Sequence, residues 1–258
     1  GGSAIERWRR PEFLLLLMAA ASPISFASWQ SLLDNFAIHE AAFGGREIGI
    51  LQSLREVPGF LAFAVVWVLL VLREQTLAYA SLIMLGIGTA LTGWFPNVVG
   101  LYITTVLMSV GFHYYETVAT SLALQWIDKA QAPRVLGQLL AAGSAAAVFT
   151  FCLVWLVFES FDLGYVWTYM AGGCITLLIG VFCWIAFPRF PSKVAQRKHM
   201  VLRRRYWLYY ALTFLSGARR QIFIVFAGFL LVQKFDYDVA TITALFLLNA
   251  VINIFLAP

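Results

Sequence analysis

Residues 51–72, "LQSLREVPGFLAFAVVWVLLVL", decide how the chain must be read. From Pro58 to Leu72 the stretch carries no charge and is built of residues that prefer lipid to water. Yet Arg55 and Glu56 stand side by side just before it. One Arg or Asp at the centre of a spanning helix costs about 2.5–3.5 kcal/mol on insertion scales. A structural ion pair, a lipid-interface anchor or a working site has to account for them.

The whole chain shares this character. Of its 258 residues 61% are hydrophobic and 12% charged, and the mean hydropathy is +0.81. A soluble globular chain is roughly 45–50% apolar and about 25% charged. Too few polar residues remain to coat a water-facing surface, so the chain reads as an integral membrane protein. Cys152, Cys174 and Cys183 all lie within apolar stretches, where they read as small hydrophobes and not as a disulfide framework or a zinc site.

A spanning helix needs about 20 mostly apolar residues. Punctuation by Pro, Gly and charge clusters predicts eight of them, near 12–33, 47–72, 76–94, 98–125, 135–158, 164–187, 206–232 and 239–257. No segment shows the polar–apolar alternation of a barrel strand. The fold class expected is therefore all-α, a polytopic bundle of about eight transmembrane helices. Thirteen basic residues fall on the side that carries the N-terminus and the 73–75, 126–134 and 188–205 connections, against Arg46 and Lys234 on the other. The positive-inside rule places the N-terminus in the cytoplasm. This asymmetry and anionic lipid headgroups explain the net charge of +5, without nucleic acid.

The basic stretch "PRFPSKVAQRKHMVLRRR" (188–205) divides the chain into six segments and two. At a constant offset of 194 the two parts run in register: Arg9 and Arg10 meet Arg203 and Arg204, Ser22 meets Ser216, and Leu51, Leu54 and Val57 meet Leu245, Leu248 and Val251. Internal repeats of this kind mark secondary-transporter folds.

On this topology and repeat the chain resembles the major facilitator superfamily, whose members carry six helices, a basic cytoplasmic loop and six more. The family signature between helices 2 and 3, roughly G-x-L-x-D-R-x-G-R-R, falls at "VLREQTLAYA", which keeps Arg73 and lacks the glycines and the aspartate. The helix-5 Gly-Pro motif is absent from "LLAAGSAAAVF". These departures mark a divergent branch. The resemblance implies a six-helix bundle over 1–187, a cytoplasmic linker over 188–205 and the start of a second bundle over 206–258. It also implies a place in the plasma (inner) membrane, and four helices beyond the closing "FLAP", so that the chain reads as truncated after helix 8.

Three charged clusters lie deep in the predicted spans: Arg55–Glu56, His113 with Glu116, and Arg219 with Arg220. Ser109, His113, Glu116, Thr117 and Thr120 form one stripe at helical spacing. The repeat sets Asn249 at the position of Arg55. Adjacent residues point about 100° apart on a helix, so Arg55 and Glu56 are expected to meet separate partners on neighbouring helices. Asp34, near a helix end, is read as an exposed carboxylate. His113 and Glu116 have the i, i+3 spacing of a metal pair, but no second pair accompanies them, and neither a metal nor a cofactor is expected.

In the family, helices 1, 4, 7 and 10 line the central cavity, which places His113, Glu116, Arg219 and Arg220 beside it. Within the spans, Arg55, Arg219 and Arg220 outnumber Glu56 and Glu116 by one, and an arginine fork suits carboxylate or phosphate. The expectation is a proton-coupled secondary transporter of a small anionic or polar solute. Arg219, Arg220, Arg55 and Asn249 would bind solute, and Glu116, His113 and Glu56 would carry protons. A transporter-like scaffold that assembles other membrane components is the alternative, favoured by the degraded signature. No H-E-x-x-H, G-x-S-x-G or phosphate-loop motif points to an enzyme.

Overall fold

The computed structural model describes residues 8–161, 163–191 and 204–256. They form eight main helices: α1 (Pro11–His39), α2 (Gly45–Phe60), α3 (Glu74–Thr92), α4 (Val98–Trp126), α5 (Ala132–Ser160), α6 (Gly164–Ala186), α7 (Trp207–Phe235) and α8 (Val239–Leu256). Among the described residues there is no strand. Five of the helices, α1 and α3 to α6, are long and apolar enough to cross a bilayer. The architecture is the all-α membrane bundle that hydropathy predicts.

Local chemistry sets the helix ends. Pro11 opens α1, where a missing N–H is harmless. Gly44 N–H donates to the Glu47 carboxylate at 3.0 Å at the start of α2, and Asn97 Oδ1 accepts from Gly100 N–H at 2.8 Å at the start of α4. Asp238 Oδ1 does the same for Thr241 N–H, at 2.8 Å, ahead of α8. The helices run alternately up and down between two ends. The turn end carries the 40–44, 93–97 and 236–238 connections; the linker end carries 69–73, 127–131, the end of α6 and the start of α7.

One span departs from expectation. The apolar stretch to Leu72 is not a continuous helix: α2 closes at Phe60 and gives way to a 3-10 turn, Leu61–Ala64, and a single α-turn, Val65–Val68. Pro58 has no N–H to return to the Leu54 carbonyl, and Gly59 follows it, so the ladder weakens in mid-span.

Small residues bring the helices together. On α1, Ser22, Ser25, Ser28 and Ser31 recur every third position and are all buried. Ser25 and Ser28 meet Gly172 of α6, where Ser25 Oγ donates to the Gly172 carbonyl (3.4 Å) and Thr176 Oγ1 donates back to the Ala21 carbonyl (2.8 Å). α3 packs along α4 and α6 just as closely. A Cβ on Gly88 would lie 2.5 Å from Met108 N, and one on Gly86 would lie 2.6 Å from the Gly173 carbonyl. Close small-residue contact is how helices associate in lipid, where no hydrophobic force draws them together.

At the linker end Glu74, buried at the start of α3, accepts from Ser121 Oγ (3.1 Å) and Gln125 Nε2 (2.5 Å) of α4. Its neighbour Gln75 donates to the Pro188 carbonyl (2.9 Å) and accepts from Phe190 N–H (3.0 Å). These bonds tie the chain leaving α6 under α3. Gln75 Nε2 also donates to Tyr79 Oη at 2.7 Å, so Gln75→Leu should lower stability by about 2–3 kcal/mol, three hydrogen bonds' worth, read as a lower melting temperature in detergent.

α7 and α8 meet the first six helices mainly at the turn end. Phe229 and Val232 of α7 and Val239, Ala240, Ile242 and Thr243 at the start of α8 are buried. α8 lies along α5 and α1, with Phe246 5.9 Å from Phe151. Towards the linker end, Trp207, Leu208, Tyr209, Leu212 and Leu215 of α7 are exposed. The bundle is closed at one end and splayed at the other.

Candidate functional site

Counting 1.5 Å per residue from the turn end sorts the polar side chains by depth. Asp34 lies about 8 Å in. Trp29, Arg55 and Ser109 share a layer at about 15 Å, and Phe26, Gly59 and His113 one at about 20 Å. The contacts confirm the layers. Ser109 Oγ donates to the Arg55 carbonyl, tying α4 to α2. The Arg55 guanidinium lies 5.7 Å from the Trp29 ring centre, a cation–π contact between α2 and α1. One turn deeper His113 rests on Gly59: a Cβ there would stand 2.7 Å from His113 Cε1. Phe112 stacks on Phe26 at 4.8 Å and meets the His113 ring edge-on at 5.3 Å. Only glycine at 59 lets the imidazole come this close, beside the point where α2 breaks.

Arg55 is buried, and its partner corrects the sequence reading. Arg55 Nε (3.0 Å) and Nη2 (2.7 Å) both donate to Glu56 Oε1, so the two neighbours pair with each other. Both side chains are long enough to curl across the 100° between them. Trp29 supports the guanidinium from one side, and Glu56 keeps 44% of its side chain exposed.

Asp34 is the second correction. It is not an exposed helix-end carboxylate: only 8% of it is accessible. α7 crosses α1 at this level and brings Gly228 against it, so that a Cβ on Gly228 would lie 2.5 Å from Asp34 Oδ2. From this level to that of Arg55, Trp29 Nε1, Asn35 Nδ2, Gln52 Oε1 and Tyr169 Oη are buried without a hydrogen-bond partner among the described residues. Counting Asp34 with the charges in the spans gives three cations, Arg55, Arg219 and Arg220, and three carboxylates, Asp34, Glu56 and Glu116, so the positive excess disappears.

The other expected site residues divide. Arg55, Glu56 and His113 come together between α2 and α4. Glu116, Thr117 and Thr120 lie on an exposed face of α4 below them. The two threonine hydroxyls there donate to the carbonyls of His113 (2.8 Å) and Glu116 (3.2 Å). Asn249 is exposed on α8, a helix that packs on α5 and α1. The backbones of 219 and 220 belong to α7 at about 22–24 Å from the turn end, the depth of His113; the side chains of Arg219 and Arg220 lie outside the described residues. Among the described residues no group of three His, Cys, Asp or Glu is arranged to hold a metal.

No family model matches the sequence, and the curated proteins offer no match. Solved structures do. A mutant of the nucleoside transporter NupG superposes with a TM-score of 0.76 at 14% identity, covering 94% of this chain and 65% of its own. NupG itself gives 0.73 at 13%, covering 95% and 66%. The POT family transporter PepTSo gives 0.59 at 15%, covering 94% and 54%.

The chain has the major facilitator fold.

It spans just under two thirds of the length of the NupG structures.

Proposed function

We propose that the chain acts as a secondary active transporter, moving a small anionic or polar solute by alternating access and coupling it to protons. The observation that carries this reading is the cluster at mid-depth: Arg55, Glu56, His113, Trp29 and Phe112, from α1, α2 and α4, meet where α2 is interrupted by Pro58 and Gly59. Broken helices beside charged groups near the bilayer midplane are the usual setting of transporter sites. The solved structures of similar fold are described as nucleoside and peptide transporters, which supports the same class.

In this reading the linker end faces the cytoplasm, the N-terminus with it, and the membrane is the plasma (inner) membrane. Residues 1–187 and the bundle begun by 206–258 rock about the 188–205 linker. Arg55, Arg219, Arg220 and Asn249 engage the solute, while Glu116, His113 and Glu56 handle protons. The even balance of charges favours a polar solute over a simple anion. A second reading, a transporter-like scaffold, draws on the degraded signature at 71–80 and on the Arg55–Glu56 self-pair. It accounts poorly for the exposed Glu116, Thr117 and Thr120.

The test is solute uptake by proteoliposomes, screened over small polar and anionic compounds with and without a pH gradient. Uptake driven by the gradient is the expected result; none for any compound favours the scaffold. Glu116→Gln should retain solute exchange yet flatten the pH dependence of uptake. An unchanged profile would remove Glu116 from proton coupling.

A further inference from the structure

The corner where α1 begins and α6 ends holds side chains that the transport site does not use. Trp8, three residues ahead of Pro11, rests among three phenylalanines. It stacks on Phe182 of α6, with ring centres 6.0 Å apart and planes 16° from parallel. It meets Phe13 of α1 (6.5 Å) and Phe187 (5.3 Å) edge-on. Phe13 and Phe182 nonetheless keep an exposed face, so the four rings form a shelf open to the surroundings.

Cations rim this shelf. The Arg9 guanidinium lies 5.5 Å from the Trp8 ring centre, a cation–π contact that holds it at the aromatic edge. Arg10 follows it in sequence, and Arg189 comes two residues after Phe187; all three arginines are exposed. Against them, residues 8–15 and 182–191 contain one carboxylate, Glu12. The other linker-end turns are better balanced, with Arg73 beside Glu74 and Lys129 beside Asp128. From the shelf an apolar stripe descends α6: Ile185, Phe182, Leu178 and Ile175 recur at helical spacing, and all are exposed. On a spanning helix such a stripe borders acyl chains, and a Trp at its end marks the headgroup level.

We propose that this corner binds one anionic phospholipid. Its phosphate sits among Arg9, Arg10 and Arg189, its glycerol backbone lies on the Trp8–Phe182 shelf, and an acyl chain follows the stripe to Ile175. The arginine fork suits phosphate. The surplus of cations selects against a headgroup that carries its own ammonium, so phosphatidylcholine is a poor occupant. A free phosphate could use only the exposed guanidiniums, where water and salt weaken the attraction; a lipid adds the shelf and the stripe. Nothing in this site depends on transport.

The experiment reads binding as stabilisation, since a ligand that binds the folded state raises the melting temperature. The protein in dodecyl maltoside is melted with increasing dioleoylphosphatidylglycerol, dioleoylphosphatidylcholine or sodium phosphate. Phosphatidylglycerol should raise the midpoint, and the other two should not at the same concentrations. Replacing Arg9, Arg10 and Arg189 together by Gln should leave the lipid-free midpoint unchanged, because all three are exposed. It should raise the phosphatidylglycerol concentration needed for half the effect about a hundredfold, at about fivefold for each arginine. Arg9→Gln alone, expected at about fivefold, carries the test if the triple variant does not fold. Lys129, Arg134 and Arg205, likewise exposed at the linker end, are replaced by Gln as the control of equal charge and should keep the parent's response. No response of the parent to phosphatidylglycerol, an equal response to phosphatidylcholine or to phosphate, or equal weakening in the two triple variants would each overturn the site.

Discussion

Arg55→Met should abolish solute uptake and lower stability by about 3 kcal/mol, the lower end of the range for breaking a buried ion pair, because Glu56 retains 44% exposure. Glu56 loses both hydrogen bonds from the guanidinium, and Trp29 loses the cation over its ring. The double change Arg55→Met with Glu56→Gln should recover part of the stability, since residue 56 no longer carries a charge that has lost the guanidinium's two hydrogen bonds, but none of the uptake. Melting temperature and uptake measured on the same preparations separate the two effects. A single variant that melts like the parent would mean that Arg55 is not the support of this cluster; a double variant that transports would remove both residues from the site.

The second large effect belongs to packing. A side chain at Gly111 on α4 has no room: a Cβ there would lie 2.5 Å from the Ser81 carbonyl of α3 and 2.8 Å from Leu85 Cα. Gly111→Val should lower stability by about 3 kcal/mol, the top of the usual range for overpacking, because backbone and not a movable side chain is in the way. Gly137 on α5 is the control, with nothing within 4 Å of the place its Cβ would take. Gly137→Ala should raise stability by about 0.5–1 kcal/mol through helix propensity and unfolded-state entropy. Opposite signs for two glycine substitutions are the expected result of thermal melts. Similar signs would mean that α3 and α4 do not approach as closely as the structure has them.

Hydropathy carried most of the fold because a bilayer leaves little choice: apolar runs of about 20 residues become helices, and short connectors make neighbours antiparallel. The break in α2 was harder to read. The run through Leu72 remains apolar, and only Pro58-Gly59 marks where the ladder weakens. The pairing of Arg55 with Glu56 was missed because helical periodicity assigns directions to Cβ atoms, while a long arginine and a glutamate meet beyond them.

Asp34 was misjudged for a different reason. Its distance from the helix end suggested exposure, but burial depends on which helix crosses there, and α7 lies almost 200 residues away along the chain. A signal was present nonetheless. Asp34 follows a run of polar residues, Ser22, Ser25, Ser28 and Ser31, and polar residues recurring in a spanning helix point to its buried side. Ser25 and Ser28 meet Gly172 of α6, and Asp34 alone carries charge.

The most direct measurement is the water accessibility of the exposed face of α4. With Cys152, Cys174 and Cys183 replaced, a single cysteine at Thr117 or Thr120 is offered a membrane-impermeant maleimide from either side of sealed vesicles. A transporter splayed at its linker end predicts rapid labelling from the cytoplasmic side and slow labelling from the other. No labelling from either side would show that Glu116 and its neighbours border lipid or a dry core, and would contradict a solute pathway through this bundle.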